Sequence, residues 1–567
     1  MSKQRYRCLA LSDFNMGNFA SYLANDDSSP AVEVYAAPYG QVWQVLIDSQ
    51  HPIWRNEADF AVVWTRPESV VPSFGRLLNF ENVPTSVLLE EVDQYADALV
   101  RALEPLAFAF VPTWVMPPYM AGLLDWREGT GAANALAHMN LRLAERLAGH
   151  SKLYLLNAQR WVDAVGQRAH SPKLWYMAKI AFGNDVFLSA VESIKAGLRG
   201  LSGRAKKLLI LDLDDTLWGG IVGDVGWENL QLGGHDAVGE ALVDFQVALQ
   251  GLKRRGVVLG VVSKNDERVA LEAIEKHPEM KLRRQDLAHW KINWNDKAQN
   301  IAELVHELNL GLESAVFIDD NPVERARVRE ALPDVLVPEW PQDKMLYKSA
   351  LLSLTCFDAP AISAEDAART EMYVAERERK DTQMQVGSVE EWLETLDITV
   401  TATPLTPENA TRTAQLLNKT NQMNLSTRRL SEAELWRWLE APGRALWTFH
   451  VTDRFGDSGL TGIASGEVDG STLHVVDYLL SCRVMGRKVE ETMLALLVAH
   501  AREQGCETVV ATYVPTAKNR PCLEFFQRSD FHGDAAGEHF TWSTHDDYPV
   551  PAQLRLEVKP PQGETAS

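Results

Sequence analysis

The sequence predicts a multidomain α/β chain, on three observations. Short apolar runs alternate with amphipathic helical patterns from the N-terminus onward. The 567 residues correspond to roughly three or four domains of ordinary size. A hydrophobic content of 46% is ample for packed cores.

Composition narrows the function. No run approaches the ~20 uninterrupted apolar residues a bilayer-spanning helix needs. The N-terminal MSKQRYRCLALSDFNMGNF lacks the apolar stretch and small-residue cleavage site of a secretory signal. A cytoplasmic enzyme without a membrane partner is expected. Lys plus Arg number 56 against 77 Asp plus Glu, a formal charge of −21, and that field opposes non-specific binding to nucleic acid. An anionic substrate must then meet local cations, a metal or helix N-termini. Cys8, Cys356, Cys482, Cys506 and Cys522 form no CxxC pair, which argues against a zinc site or disulfide framework and fits a reducing compartment.

The elements follow in order. Over 1–195, the apolar runs 8–11, 60–64, 108–116 and 153–156 read as strands and 131–148 as a helix, giving a first α/β domain. A basic connector, 197–207, leads to a second α/β domain over 205–350. Its strand candidates are 208–211, 257–262, 315–318 and 335–337. Between them, Leu242, Phe245, Leu249 and Leu252 form one helical stripe, and Ile301, Leu304, Val305 and Leu308 another. Continuous apolar strands alternating with amphipathic helices imply a parallel sheet covered on both faces. Residues 351–395 read as a connector ending in a solvated helix. A mixed domain covers 396–548, with strands near 397–402, 446–452, 459–467, 472–481 and 508–514 and helices near 407–418, 431–440 and 489–503. Residues 549–567 read as a flexible tail.

The chemistry concentrates at strand ends. KLLILDLDDTLWGG (207–220) runs an apolar strand into Asp212, Asp214, Asp215 and Thr216. Carboxylates in that place face the crevice where open sheets bind ligands. Gathering several costs energy unless a cation neutralises them. Further strand ends deliver Ser263, and Asp319 with Asp320; Lys297 opens the following helical pattern at 297–309. An ordinary surface lysine is the alternative for Lys297, with Lys291 as a rival.

The order DxDxT, Ser, Lys, DD resembles the four-part pattern of the haloacid-dehalogenase (HAD) superfamily. The resemblance implies Asp212 as the nucleophile forming an aspartyl-phosphate and Asp214 as general acid/base. It implies that Thr216 stabilises the loop and that Ser263 and Lys297 bind the phosphoryl group. Asp319 and Asp320 would complete a Mg²⁺ site with Asp212 and the backbone carbonyl of Asp214.

The match extends further. TLWGGIVGDVGWENLQLG (216–233), NWNDKAQNI (293–301), FIDDNPVERARVREALPDVLVPEWP (317–341), QLLNKTNQMNLSTRR (415–429), DRFGDSGLTG (453–462) and LLSCRVMGRKVEE (479–491) resemble the FkbH-like family. That resemblance implies an SGNH-hydrolase-like N-terminal domain and a GNAT-like C-terminal domain. It also implies an enzyme that takes the glyceryl unit of 1,3-bisphosphoglycerate, removes its remaining phosphate, and loads glycerate as a thioester on the phosphopantetheine arm of an acyl carrier protein, for polyketide or related pathways. The alternative is a phosphatase of a small phosphorylated metabolite, or a glyceryl-modifying enzyme of surface-polysaccharide synthesis.

Acyl transfer needs a second centre. Residues 474–503 resemble the GNAT element Q/R-x-x-G-x-G/A, whose amides cradle a pyrophosphate. Arg483 and Gly486 fit, while Lys488 stands where Gly or Ala is expected. Cys482 could carry the glyceryl thioester, its thiol activated by Arg483 and the adjoining helix N-terminus; a small buried residue is the equal alternative. Asn421, Gln422, Asn424 and Arg428 could line the cleft, or form a polar turn. His474 and Asp477, on the same strand, could serve as the base for Cys482 or equally be solvent-facing strand residues. In the first domain, Ser12 and the pair Asp163 and His170 fall near where SGNH catalytic groups would stand, without a GDS motif. A non-catalytic domain is expected.

Overall fold

The computed structural model describes residues 5–118, 122–234, 236–361, 369–420, 422–516, 518–535 and 537–560. Asn421, residues 362–368 and residues 561–567 lie outside the described residues. The chain divides into two compact units, Met1–Leu209 with Gly311–Ile362 and Ile210–Leu310 with Ser363–Ser567. The division falls inside a single strand, Leu208–Leu211.

In the first unit, β1 (Arg5–Ser12), β2 (Ala31–Ala36), β3 (Phe60–Trp64), β4 (Phe108–Pro112) and β5 (Leu153–Leu156) form a parallel sheet ordered β2-β1-β3-β4-β5. Side chains alternate across it. Leu9, Leu11, Ala61 and Val63 pack with Val92 and Leu99 of the helix Thr85–Leu103. Cys8, Ala10, Phe60 and Val62 pack with Phe187, Val191 and Ile194 of the helix Asn184–Leu201. That helix absorbs the first half of the expected connector. Its glycines permit close packing: a Cβ on Gly197 would lie 2.9 Å from the Phe110 ring, and one on Gly200 2.7 Å from the Asp358 carbonyl oxygen.

A four-stranded sheet has the order β8-β7-β6-β9, with β6 (Leu208–Leu211), β7 (Val258–Ser263), β8 (His289–Ile292) and β9 (Ala315–Ile318). Every residue of β6, β7 and β9 is buried. The strand expected at 335–337 reduces to a single parallel bridge, Val316 to Leu336. The helix Ala237–Arg254 buries Leu242, Phe245, Leu249 and Leu252, and the helix Lys297–Glu307 buries Ile301, Leu304 and Val305. Both stripes are therefore core faces.

The C-terminal part of the second unit is a nine-stranded sheet. Its strands are β10 (Ile398–Pro404), β11 (Met423–Asn424), β12 (Arg444–Asp453), β13 (Gly456–Asp469), β14 (Thr472–Leu480), β15 (Thr508–Thr512), β16 (His532–Gly533), β17 (His539–Ser543) and β18 (Leu554–Val558). The order is β16-β17-β15-β14-β13-β12-β10-β18, with β11 on β14. Strand β18 pairs in parallel with β10 from Ile398↔Leu554 to Ala402↔Val558, so that stretch of the expected flexible tail is an edge strand. Strands β14 and β15 run together only from Thr472↔Thr508 to Val475↔Ala511. Residues 423–425 span the gap beyond: Met423 pairs with Leu480, Leu425 N donates to Tyr478 O at 2.9 Å, and Val514 N donates to Leu425 O at 3.0 Å.

The helix Arg369–Gln385 is more than a solvated connector. Arg379, 3% exposed, donates to both carboxylate oxygens of Asp453, at 2.6 and 2.8 Å. Arg487 Nη1 reaches the same carboxylate at 3.4 Å.

Candidate active site

Strand β6 ends in Asp212, whose carboxylate is buried. Lys297, the first residue of its helix, places Nζ 2.9 Å from Asp212 Oδ2. The helix starts there because the Asp296 side chain caps it, accepting from Ala298 N and Gln299 N. The rival Lys291 is committed elsewhere, its Nζ 2.6 Å from Glu307. Asp212 Oδ1 is buried and has no hydrogen-bond partner among the described residues. An open acceptor on a buried carboxylate calls for a cation or an electrophile.

Asp214 is held from three sides. Its Oδ1 accepts from Trp218 Nε1 at 2.8 Å and Val222 N at 3.1 Å, and its Oδ2 from Asn265 Nδ2 at 2.8 Å. Burial first, and then the negative charges of Asp212 and Asp215, push this carboxyl above the usual carboxylate range, although the bonds from Val222 and Trp218 oppose the shift. A carboxyl tuned upward is suited to donating a proton. Thr216 is buried, its amide bonded to Leu213 O at 3.1 Å. Asp215 adopts a left-handed φ of 55° and accepts from Gly220 N at 2.9 Å, which closes the turn. Ser263 is buried at the end of β7.

Asp319 follows β9 fully buried. Its Oδ1 accepts from Asn321 N at 2.8 Å, and Arg325 Nη1 donates to the carbonyls of Asp319 and Asp320 at 2.8 and 2.7 Å. One carboxylate oxygen from each of Asp212, Asp319 and Asp320 lies within 4.8 Å of the others. An all-carboxylate oxygen set of this kind fits a hard divalent cation. Asn265 and Trp218, which hold Asp214, were not anticipated; no spacing rule marks which amide or indole will close on a given carboxylate.

The C-terminal candidates behave differently. Cys482 is exposed, so the buried-residue alternative does not hold; its Sγ lies 3.2 Å from Asn309 Nδ2. It opens on a cavity of about 370 Å³ that Arg369, Tyr373, Lys380 and Arg483 also line. The Arg483 guanidinium donates to Met372 Sδ at 3.1 Å. Arg428 pairs with Asp477, its Nε 2.9 Å from Oδ1. Asp477 is 1% exposed, which corrects its reading as solvent-facing; His474 is exposed as expected. Gly486 takes a positive φ of 76°, but its amide donates to Glu490 Oε1 at 2.8 Å. The protein's own carboxylate thus occupies the amide that a pyrophosphate would need. Burial raises the Glu490 carboxyl to about 7.

In the N-terminal sheet, Ser12 Oγ accepts from Phe14 N at 3.1 Å, Asp163 accepts from Gln159 Nε2 at 2.8 Å, and His170 Nδ1 faces the Ala181 carbonyl at 3.4 Å. These three side chains form no relay.

No family model matches the chain, and neither does any curated protein. Among solved structures, it is similar to the N-terminal part of the protein BF1531 from Bacteroides fragilis, which contains a phosphatase domain complexed with Mg. The identity is 28%, covering 64% of this chain and 96% of that one, with a TM-score of 0.59. A domain from Methanocaldococcus jannaschii is 11% identical over 26% of this chain and 99% of its own, with a TM-score of 0.22. The GNAT domain of PAT from S. lividans is 16% identical over 25% of this chain and 89% of its own, with a TM-score of 0.21. No helix among the described residues is long and apolar enough to cross a membrane.

Proposed function

We propose that this chain is a Mg²⁺-dependent HAD-type phosphatase that also transfers an acyl group, as the FkbH-like resemblance implies. The observation that carries the reading is the buried Asp212, one oxygen held by Lys297 at 2.9 Å and the other left open. The likeness to a phosphatase domain complexed with Mg supports it.

In this reading Asp212, Asp319 and Asp320 hold the Mg²⁺, which offsets negative charge on the phosphoryl oxygens when bound. Asp212 Oδ1 attacks the phosphorus in line and the P–O bond to the substrate alcohol breaks. Asp214 gives its proton to the departing alkoxide, then takes one from the water that cleaves the aspartyl-phosphate. Lys297 and Ser263 orient the phosphoryl oxygens, Lys297 adding positive charge.

The proposed substrate is 1,3-bisphosphoglycerate. The Cys482 thiolate attacks its acyl-phosphate carbon and expels inorganic phosphate, which leaves a 3-phosphoglyceryl thioester; the remaining phosphate ester is hydrolysed at the Asp212 site, and the acyl group exchanges onto the thiol of a carrier protein's phosphopantetheine arm. One observation supports a carrier arm over coenzyme A: the Glu490 carboxyl already accepts from the Gly486 amide. That amide is therefore not free to hold a pyrophosphate. The setting is cytoplasmic, where acyl carrier proteins and glycolytic intermediates meet.

Incubation with 1,3-bisphosphoglycerate, Mg²⁺ and a purified acyl carrier protein bearing its phosphopantetheine arm tests the proposal. Intact-mass measurement is expected to show the carrier gaining one glyceryl group. A carrier of unchanged mass, while the protein hydrolyses phosphate esters, would leave a phosphatase alone.

A further inference from the structure

The proposed chemistry makes no use of a pocket of about 280 Å³ in the N-terminal domain, beyond the carboxyl ends of β3 and β4. Open parallel sheets hold ligands at that edge. The walls are apolar and aromatic, with Trp64 and Phe182 stacked 5.0 Å apart between centroids. Arg66, Glu68, His170 and Tyr176 are the charged or titratable residues that line it.

Arg66 is locked. Its Nε donates to Asp13 Oδ2 at 2.7 Å, Nη1 to Glu68 Oε1 at 3.0 Å and Nη2 to Ser69 Oγ at 3.0 Å, while the guanidinium lies 3.9 Å over the Trp175 ring. Two acceptors are left over. Glu68 Oε2 and His170 Nε2 are both buried without a hydrogen-bond partner among the described residues. Since His170 Nδ1 faces the Ala181 carbonyl, the ring proton belongs on Nδ1 and Nε2 is an acceptor. Burial, which lowers the imidazole's affinity for a second proton, keeps it neutral.

We propose that this pocket binds a compact amine, whose ammonium group donates to Glu68 Oε2 and His170 Nε2 while its body packs on Trp64 and Phe182. Buried orphan acceptors favour a ligand that brings only donors, and an ammonium has three donors and no acceptor. Aromatic rings favour a cation in the same place. A carboxylate, phosphate or ester brings acceptors and leaves both side chains unsatisfied. The ligand is bound and not hydrolysed, because Ser12 Oγ is engaged by Phe14 N and has no histidine partner.

Calorimetric titration of the full-length protein near neutral pH with tyramine and with 4-hydroxyphenylacetate tests this. The two probes share a hydroxyphenyl body and end in an ammonium or a carboxylate. One equivalent of tyramine is expected to bind, at least about tenfold more tightly than the carboxylate. Glu68→Gln, which turns an amide N–H into the pocket, is expected to weaken tyramine binding about tenfold and leave Mg²⁺-dependent phosphatase activity unchanged. Equal affinities, tighter binding of the carboxylate, no heat from tyramine at millimolar concentration, or tyramine binding undiminished in a folded Glu68→Gln protein would each overturn the proposal. Should the variant not fold, the comparison of the two probes on the unaltered chain decides alone.

Discussion

The phosphatase-like sheet and the C-terminal sheet both carry candidate residues near strand ends, and they satisfy those residues in opposite ways. At the end of β6, Lys297 meets only one oxygen of Asp212, and the second stays open inside a buried carboxylate cluster. In the C-terminal sheet the charged candidates close on one another: Arg428 on Asp477, and the Gly486 amide on Glu490. Cys482, by contrast, faces outward. Motif residues in one region retain an unmet valence for a ligand, whereas in the other most are spent on holding the fold. Reactive capacity therefore has to be read from what remains unsatisfied.

The comparison can be broken at either end. Asp212→Asn carries the largest expected effect: Mg²⁺-dependent hydrolysis of p-nitrophenyl phosphate should fall about 10³-fold or more, as loss of a covalent nucleophile does. Retention of most of that activity would remove Asp212 from the chemistry. Cys482→Ala should abolish glyceryl transfer to a carrier protein while phosphate-ester hydrolysis stays within about twofold of the unaltered enzyme; joint loss of both would mean that the two regions are not separate centres. Arg379→Ala should destabilise the protein by about 3 kcal/mol in urea denaturation, because the Asp453 side chain is fully buried and would keep, besides the amides of Phe455 and Gly456, only the longer ion pair to Arg487.

The smallest effect concerns pH. Burial raises the Glu490 carboxyl from its ordinary 4.5 to about 7, so the folded state keeps its proton where the unfolded chain has lost it. Its contribution to stability is full below about 4.5 and disappears as pH rises through about 7. Glu490→Gln should flatten that decline and stabilise the protein at pH 8, by about 2 kcal/mol at most. A decline between those limits that is unchanged in the variant would assign the effect to other groups.

Legibility in the sequence followed the range of the forces involved. Strands 208–211 and 315–318 coincide with their apolar runs because all four residues of each are buried, leaving no polar position to blur the signal. Strands β2 and β8 alternate apolar with charged residues, as in Val32-Glu33-Val34 and Trp290-Lys291-Ile292, and lie at sheet edges, so no continuous run betrays them. Strand β18 depends on β10, far earlier in the chain, and its own LRLEV among prolines resembles a tail. The carboxylates of the phosphatase-like site were legible because a residue that follows a buried strand must emerge at the sheet's rim. Asn265 closing on Asp214, Glu490 closing on Gly486 and the burial of Asp477 were not. Each depends on a side chain meeting a partner that chain spacing does not specify.

The central claim is that Asp212 accepts the phosphoryl group. Rapid acid quench of the enzyme turning over a radiolabelled phosphate ester with Mg²⁺, followed by peptide mapping, tests it most directly. An acyl-phosphate, labile to hydroxylamine, is expected on the peptide containing Asp212 and absent without Mg²⁺. Turnover with label on a different peptide, or an intact label in Asp212→Asn, would contradict it.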